Sequence, residues 1–387
     1  MTAEPEKPLS PRWNRQRWAV PAAAVIALIF FGNWLRYELR SYAVLTRFVD
    51  PQSKGIALQL ETTSVHSEDV VMNTASGSIP ARLYMPDGIA RPPAIVVIHG
   101  IHHLGIDDPR FRNFSRALSS AGFAVLTPVV ASLVDYRVDA TAIPTIGESA
   151  GWLQQRIGSG RVTMITLSFS GGLALLAALN EQYAAHLRAL VVFGAYDDLA
   201  RVSRFLATDE AVLPDGRSIS LKAHDYGASV FVYAHLDQFF TPRDLLAAHE
   251  ALRDWLWERP DDAKPWVAKL SDSGRAIMQC LMQRRIQDIR PKLLEAIQAD
   301  QGDLERISPG GKLADLRVPV FIVHGSADNV IPYTESLWLE KDVPARELRG
   351  VLITSAFTHV DPKTSTGLWD RLRLVDFIAR ILRAASN

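Results

Sequence analysis

The segment between residues 162 and 179 is the feature that most constrains the fold. A β-branched, apolar run (residues 162–167) meets the tripeptide Ser168-Phe169-Ser170, and two glycines then open a helix-forming run that ends at Leu179. This pattern predicts a buried strand that turns sharply into a helix, with a serine at the corner. Because the first turn of a helix has unpaired N–H groups and a positive dipole end, it would stabilise an oxyanion formed there. The segment therefore predicts a nucleophile elbow.

Two registers fit this corner. With Ser168 as the nucleophile, the strand has an ordinary length and ends at Leu167, but Thr166 and Ser170 flank the serine in place of smaller residues. With Ser170 as the nucleophile, the flanking Ser168 and Gly172 are small, but the strand is two residues longer. We favour Ser168 and keep Ser170 as the alternative nucleophile. A serine-rich helix N-cap without any chemistry is the third interpretation.

Three further apolar runs stop at turns that carry polar side chains. Residues 93–98 end at His99-Gly100, residues 318–323 lead through a turn to Asp328, and residues 351–354 lead to His359. The chain order is therefore serine, aspartate and histidine, each just beyond the end of a predicted strand. Open parallel sheets place their functional sites at this edge.

Together these motifs resemble the α/β-hydrolase superfamily, nearer to its dienelactone-hydrolase-like and esterase-like members. The matching segments are His99-Gly100, the elbow around Ser168, residues 324–332 and Phe357-Thr358-His359. The combination is specific, although each motif is weak by itself. The resemblance implies a mostly parallel, eight-stranded sheet flanked by helices.

The resemblance also implies a catalytic triad. Ser168 would be the nucleophile, His359 the general base and then the general acid, and Asp328 the residue that orients the imidazole. Asp328 could instead be an ordinary turn residue, so Asp198, beside Asp197 after the strand predicted at 189–194, is the alternative acid. His359 could likewise be a loop histidine without a catalytic role.

An oxyanion hole follows from the same resemblance. Its donors would be the backbone N–H of Phe169 and that of Ile101 or His102. The chain departs from the family pattern at three places. Thr166 and Ser170 stand where glycines are usual, and Ile101-His102 replaces the extra glycines of a lipase-type loop.

The residue composition excludes other classes of function. The chain has 387 residues, 48% hydrophobic and 22% charged, which is typical of a globular protein with a large core. Its formal net charge is zero, so no nucleic-acid partner is expected. The histidines at 99, 102 and 103 have no carboxylate or cysteine at ligand spacing, so we expect no metal and no cofactor. A single cysteine, Cys280, cannot form an intramolecular disulfide.

The N-terminus differs in kind from the rest. A basic tail (residues 1–17) precedes Ala19–Leu35, an uncharged run of 17 residues that is within reach of the hydrocarbon thickness of a bilayer. No small-residue cleavage site follows it, so residues 18–50 are predicted as an uncleaved single-pass anchor and a juxtamembrane helix, with the catalytic domain on the non-cytoplasmic side. A buried or interfacial helix is the alternative.

After the apolar run, helical spacing continues until Pro51. The apolar residues that keep this spacing are Leu35, Leu39, Tyr42, Leu45 and Val49.

The rest of the chain divides into a core and an insertion. Residues 51–195 and 317–387 read as the two parts of the α/β-hydrolase core. Residues 196–316 are far longer than an ordinary crossover and contain helical patterns, one of which opens at Thr241, so we predict a helical cap. The cap is rich in aromatic residues, and we expect most of them to be core.

The sequence thus predicts a membrane-anchored serine hydrolase that cleaves a carboxylic ester or related acyl bond of a small-molecule or lipid-like substrate. Two other classes stay open. One is a serine peptidase of the prolyl-oligopeptidase type, although the residues before the core are too few for that family's propeller. The other is a non-catalytic binding protein with the α/β-hydrolase fold.

Overall fold

The centre of the protein is one sheet of eight strands with helices on both faces. The computed structural model describes residues 16–358 and 367–386, and side chains from residue 28 onward except that of Ile29. The strands of the sheet are β1 (Val65–Thr74), β2 (Gly77–Pro86), β3 (Ala94–Ile98), β4 (Ala124–Pro128), β5 (Val162–Leu167), β6 (Leu187–Phe193), β9 (Val320–Gly325) and β10 (Leu348–Thr354). Two short strands, β7 (Glu210–Val212) and β8 (Ser218–Ser220), form a separate hairpin.

The strand order of the sheet is β1-β2-β4-β3-β5-β6-β9-β10. The pairs β1–β2 and β2–β4 are antiparallel and the other five pairs are parallel. Every residue of β3, β4 and β9 is buried, as expected for strands covered by helices on both faces. The predicted α/β class with an eight-stranded, mostly parallel sheet is confirmed.

Helices of the core lie on both faces of this sheet. They are α1 (Gln16–Val49), α2 (Ile56–Glu61), α3 (Pro109–Ser120), α4 (Ala131–Val134), α5 (Ala142–Ile157), α6 (Ser170–Ala177), α7 (Glu181–Ala184), α16 (Thr334–Asp342) and α17 (Leu368–Ser386). Buried side chains of α5, α6 and α16 pack on one face, and those of α1, α3 and α17 pack on the other. Asp108 caps α3, with its carboxylate accepting from the N–H groups of Arg110 and Phe111.

The C-terminal half of α1 packs against the core through a face that the sequence did not predict. Val44 is buried, and Ser41 donates a 2.7 Å hydrogen bond to the carbonyl oxygen of Val375 in α17. Of the residues that keep the apolar spacing, Tyr42 and Val49 are exposed, whereas Leu45 is partly buried against the core. The spacing gave the period of the helix correctly, but which face turns inward is decided by the groove between α3 and α17 into which the helix packs.

Among the helices whose side chains are described, none is long and apolar enough to span a membrane. The basic tail up to residue 15, and the side chains of most of the run Ala19–Leu35, lie outside the described residues.

Residues 196–316 are mainly helical. Their helices are α8 (Leu199–Thr208), α9 (Tyr226–Ala234), α10 (Leu236–Phe239), α11 (Leu245–Leu256), α12 (Pro260–Lys269), α13 (Asp272–Met282), α14 (Arg290–Ala299) and α15 (Gln301–Arg306). Most of them share a hydrophobic cluster, in which Phe231, Tyr233, Phe239 and Phe240 are buried, and core residues such as Phe169 also belong to it.

One helix start in this segment was wrong. The helix predicted from Thr241 begins at Leu245, because the Thr241 hydroxyl donates to the side chain of Asp244 instead of capping backbone N–H groups. The other oxygen of the Asp244 carboxylate accepts from the N–H of Ser271, 2.9 Å away, in the cap of α13.

Candidate active site

The turn between β5 and α6 has the strained geometry of a nucleophile elbow. Ser168 has a left-handed φ of 61°, an unfavourable conformation for a residue with a Cβ atom. Two main-chain hydrogen bonds hold it there: its N–H donates to the carbonyl of Phe193 (2.7 Å), and its own carbonyl accepts from the N–H of Gly171 (2.9 Å). The side chain lines a cavity although the residue is only 4% exposed.

Close packing around the elbow requires glycine at two neighbouring positions. A Cβ atom on Gly100 would lie 2.9 Å from the Cβ of Ser168, and one on Gly171 would lie 2.5 Å from the Cβ of Ala195. An added Cβ at Gly171 would be in ordinary contact with the Thr166 hydroxyl, 3.4 Å away, so Ala195 and not Thr166 is the residue that requires this glycine.

The alternative nucleophile, Ser170, is already the first residue of α6 and is fully buried. Its hydroxyl donates to the carbonyl oxygen of Leu167 (2.8 Å) and accepts from the N–H of the same residue (3.1 Å). These bonds tie the end of β5 to the start of α6. In this arrangement the Ser170 hydroxyl has a structural role in the elbow.

The predicted oxyanion donors differ in their hydrogen bonding. The N–H of His102 donates to the carbonyl oxygen of Leu133 at 3.3 Å. Within the described residues, the N–H groups of Ile101 and Phe169 donate to no protein acceptor. Ile101 and Phe169 are therefore the pair whose donors are available for an oxyanion beside Ser168.

A buried histidine holds the loop that carries Ile101. The Nδ1 of His99 lies 2.7 Å from the carbonyl oxygen of Gly100, and its Nε2 accepts from the N–H of Val130 at 3.0 Å. Burial lowers the pKa of His99 to about 4, against the partial opposing effect of the bond to Gly100. The imidazole is thus neutral near pH 7, which the bond from Val130 requires.

Asp328 lies in the turn after β9 and is completely buried. One carboxylate oxygen accepts from the N–H groups of Val330 (2.9 Å) and Ile331 (3.0 Å), and the other is 3.3 Å from the Nε2 of His324. These contacts fix the orientation of the carboxylate at the carboxyl end of the sheet.

The third triad residue, His359, lies outside the described residues. The preceding Thr358 lines the same cavity as Ser168 and Asn329, the residue after Asp328. The carbonyl oxygen of Thr358 also approaches Gly325 so closely that an added Cβ would collide with it. Thr358 therefore lies against the end of β9, the strand that leads to Asp328.

The alternative acid, Asp198, caps α8 by accepting from the N–H of Arg201 at 2.9 Å, and it does not line the cavity. Its neighbour Asp197 pairs with Arg201 (2.9 Å), which also binds Glu335 (2.6 Å). Burial raises the pKa of Asp197 to about 7, against the opposing hydrogen bond from Arg201. This buried network joins the start of α8 to α16.

The cavity above Ser168 has a volume of about 620 Å³, a size suited to a small organic ligand. Its lining falls into two groups, which we call the cap side and the helix side. The cap side consists of Tyr136, His224, Tyr226, Trp255, Leu256 and Glu258. The helix side consists of Val44, Leu45, Phe48, Phe114, Leu118, Ile378, Ile381 and Leu382.

Several of these residues were not predicted from the sequence. Tyr136 has a left-handed φ of 56°, and its hydroxyl donates to the carbonyl of Leu256, 2.8 Å away, so it links the core to the cap. Burial raises its pKa to about 12. Of Val44, Leu45 and Phe48, only Leu45 belongs to the helical spacing after residue 35, and that spacing does not reveal a contact with the site.

No protein-family model and no curated protein matches the sequence. Solved structures do match. A mutant of the rice cell wall degrading esterase LipA from Xanthomonas oryzae is 12% identical, with a TM-score of 0.54, and the match covers 84% of this chain and 91% of that one. Uncomplexed acylaminoacyl peptidase from Pyrococcus horikoshii is 12% identical, with a TM-score of 0.50.

The match to the peptidase covers 87% of this chain but 44% of that one, so the chain spans less than half of the peptidase's length. At such identities, structural likeness concerns the fold and not the activity. The strand order, the elbow between β5 and α6 and these two matches agree, and the chain is a protein of the α/β-hydrolase fold.

Proposed function

We propose that this protein is a serine hydrolase that cleaves a carboxylic ester through an acyl-serine intermediate. The observation that carries the proposal is Ser168, held at a left-handed φ of 61° in the strand-to-helix turn at the floor of a cavity. Backbone strain of this kind persists only where the surroundings enforce it, and it is typical of nucleophile elbows.

The proposed reaction has two steps. In the first, the Ser168 hydroxyl oxygen bonds to the ester carbonyl carbon while His359 accepts its proton, and the alcohol leaves with that proton. In the second, His359 takes a proton from water, whose oxygen attacks the acyl carbon, and the proton then passes from His359 to the Ser168 oxygen as the acid leaves. Asp328 would orient the imidazole, and the N–H groups of Ile101 and Phe169 would stabilise the negative charge on the carbonyl oxygen.

The matched structures support ester cleavage in different degrees. The Xanthomonas oryzae protein, described as an esterase, is matched over 91% of its length, whereas the peptidase is matched over 44%. Peptide hydrolysis is therefore kept as an outcome of the test and not as the proposal.

The test compares p-nitrophenyl esters of increasing acyl length with a peptide p-nitroanilide. We expect hydrolysis of esters and no measurable cleavage of the anilide. Turnover and labelling by a fluorophosphonate should both disappear in Ser168→Ala. Preferential cleavage of the anilide would favour the peptidase, and absence of both turnover and labelling would favour a non-catalytic binding protein.

We further propose that the N-terminal helix anchors the enzyme in a membrane. The support is the uncharged run Ala19–Leu35, together with the exposed apolar side chains at its described end: Leu28, Phe30, Phe31, Trp34 and Leu35. Arg36 and Arg40, which follow, lie 3.8 and 3.4 Å from Glu61 at the end of α2, so they face the hydrolase domain. The basic tail would stay in the cytoplasm and place the catalytic domain on the other side.

Extraction of membranes tests the anchor. Full-length protein should sediment with membranes and resist high salt and carbonate, because insertion of apolar side chains is not screened by ions. A chain that begins at Asp50 lacks all of α1, including the half that packs against the core. Its sedimentation therefore tests the anchor, but its activity does not. Full-length protein that salt releases would contradict a transmembrane anchor and favour surface attachment.

A further inference from the structure

The helix side of the cavity is formed by three helices and is entirely apolar. Val44, Leu45 and Phe48 come from α1, Phe114 and Leu118 from α3, and Ile378, Ile381 and Leu382 from α17. Leu45, Phe48 and Phe114 are partly exposed, whereas Val44 and Leu118 are 1% exposed and Leu382 is 0% exposed, so the latter three are packed against protein atoms. The helix side is thus a densely packed apolar wall, built partly from a helix that precedes the hydrolase core in sequence.

The helix side is continuous with the elbow. Phe193, whose carbonyl accepts the N–H of Ser168, lies with its ring centroid 6.3 Å from that of Phe114. The Phe114 ring is in turn 5.3 Å from the ring of Phe48 on α1, in an edge-to-face arrangement. A series of aromatic rings therefore leads from the nucleophile to α1.

The two sides of the cavity differ in chemistry. The charged and polar side chains that line the cavity, including Asp108, His224 and Glu258, lie outside the helix side, and the one that belongs to a helix of that side is Arg110, in the first turn of α3. Among the described residues that form the helix side, none is charged or polar. The alcohol leaves first and water must then reach the acyl-serine, whereas the acyl group stays bonded to the serine until the second step and only then leaves as the acid. The apolar helix side therefore suits the acyl group, and the more polar cap side suits the alcohol and the entering water.

We propose that the helix side binds the acyl chain, and that the substrates are esters of long, unbranched hydrocarbon acids. This inference rests on the proposed ester hydrolysis. It gives α1 a direct part in substrate binding, because one turn of the helix, from Val44 to Phe48, forms a wall of the acyl site. Each methylene buried there should raise kcat/KM by about fourfold until the space is filled.

Chain-length profiles of matched variants test the acyl site. Val44→Trp places a large ring in the wall, whereas Val49→Trp makes the same change five residues on, where the residue is 54% exposed and does not line the cavity. In wild-type protein, kcat/KM should rise from acetate to octanoate or beyond. The ratio of dodecanoate to butyrate should fall at least tenfold in Val44→Trp and stay unchanged in Val49→Trp.

A second variant avoids the problem of fitting a large side chain into a packed helix. Phe48 is partly buried, so Phe48→Ala removes volume from the same wall at a smaller risk to folding. It should shift the preferred acyl length upward. A wild-type preference for acetate, with one profile shared by Val44→Trp, Phe48→Ala and Val49→Trp, would overturn the acyl-site proposal.

A binding measurement separates this proposal from ester hydrolysis itself. Ser168→Ala protein should bind cis-parinaric acid, a fluorescent long-chain acid, and the added change Val44→Trp should weaken binding at least tenfold while Val49→Trp does not. Such binding without turnover of any ester would support the acyl site and contradict the proposed function. Turnover of short esters without binding or length dependence would contradict the acyl site and leave the proposed function standing.

Discussion

The floor and the roof of the cavity are built in different ways. The floor consists of residues 99–102, the elbow at 168–171 and the turn of Asp328, and main-chain hydrogen bonds and close glycine contacts position it. The roof consists of residues 196–316, whose side chains mostly pack against one another and of which only a few line the cavity. We therefore expect changes in the floor to alter catalysis with little effect on folding. Changes in the roof should alter selectivity or stability.

The largest effect is expected at the corner of the floor. Ser168→Ala should lower kcat/KM by about 10⁴-fold or more, with His359→Ala close to it and Asp328→Ala less severe, since members of one catalytic unit are not additive. Ser170→Ala should stay within about tenfold, because it loses only neutral hydrogen bonds that close the elbow. Steady-state kinetics on one ester measures these losses. A larger loss in Ser170→Ala than in Ser168→Ala would show that Ser170 is the nucleophile.

A smaller loss should follow from displacing the floor without removing a functional group. Gly100→Ala brings a methyl group to 2.9 Å from the Cβ of Ser168, so the elbow or the oxyanion loop must move. A shift of this kind costs about 10²-fold in kcat/KM. Gly302→Ala is the control, because an added Cβ at that position meets nothing within 4 Å. Equal activity of the two variants, measured on folded protein, would show that the floor tolerates displacement.

The floor should also make stability depend on pH through His99. Above pH 6.5 its imidazole is neutral in both the folded and the unfolded state. As the pH falls from 6.5 towards the folded-state pKa of about 4, the unfolded chain binds a proton that the folded chain excludes, so the free energy of unfolding decreases. The decrease attributable to His99 should be about 2 kcal/mol between pH 7.5 and 5.

Urea denaturation of wild-type protein and His99→Gln at both pH values measures this decrease. His99→Gln cannot bind a proton at that position. Its free energy of unfolding should therefore decrease between pH 7.5 and 5 by about 2 kcal/mol less than that of the wild-type protein. Identical pH dependence in the two proteins would remove His99 as the cause.

The smallest effect on activity is expected in the roof. Trp255 lines the cavity, so Trp255→Ala should change the preference between small and large alcohol leaving groups by about threefold to tenfold. Phe239 is buried in the cap cluster and does not line the cavity, so Phe239→Ala should cost about 3–5 kcal/mol of stability and leave the preference unchanged. Competition between paired esters measures the preference, and thermal unfolding measures the stability. If Trp255→Ala abolished turnover of all esters, the roof would have a part in catalysis, which would contradict this prediction.

The difference between the floor and the roof also explains which parts of the structure could be predicted from the sequence. The strands and the elbow follow from short runs of residues, and the runs predicted at 93–98, 162–167, 189–194 and 318–323 lie within a few residues of the observed β3, β5, β6 and β9. The need for glycine at position 171 was not foreseen, since it depends on the close approach of α6 to Ala195, which follows the next strand.

Contacts between distant segments could not be predicted. Ser41 bonds to Val375, 334 positions away, and this packing turns Val44 and not Tyr42 towards the core. The Tyr136 link to Leu256 spans 120 positions and has no local signal. Helical spacing therefore indicated a helix at residues 35–49 but not its part in the cavity.

The most direct test of the account is covalent labelling with alkyl fluorophosphonates of increasing chain length, with the modified residue located by mass spectrometry of peptides. The account predicts modification of Ser168 and not of Ser170. It also predicts a labelling rate that rises with alkyl length in wild-type protein and in Val49→Trp but not in Val44→Trp. A label on Ser170, or no label on either serine, would contradict the assignment of the nucleophile on which the rest depends.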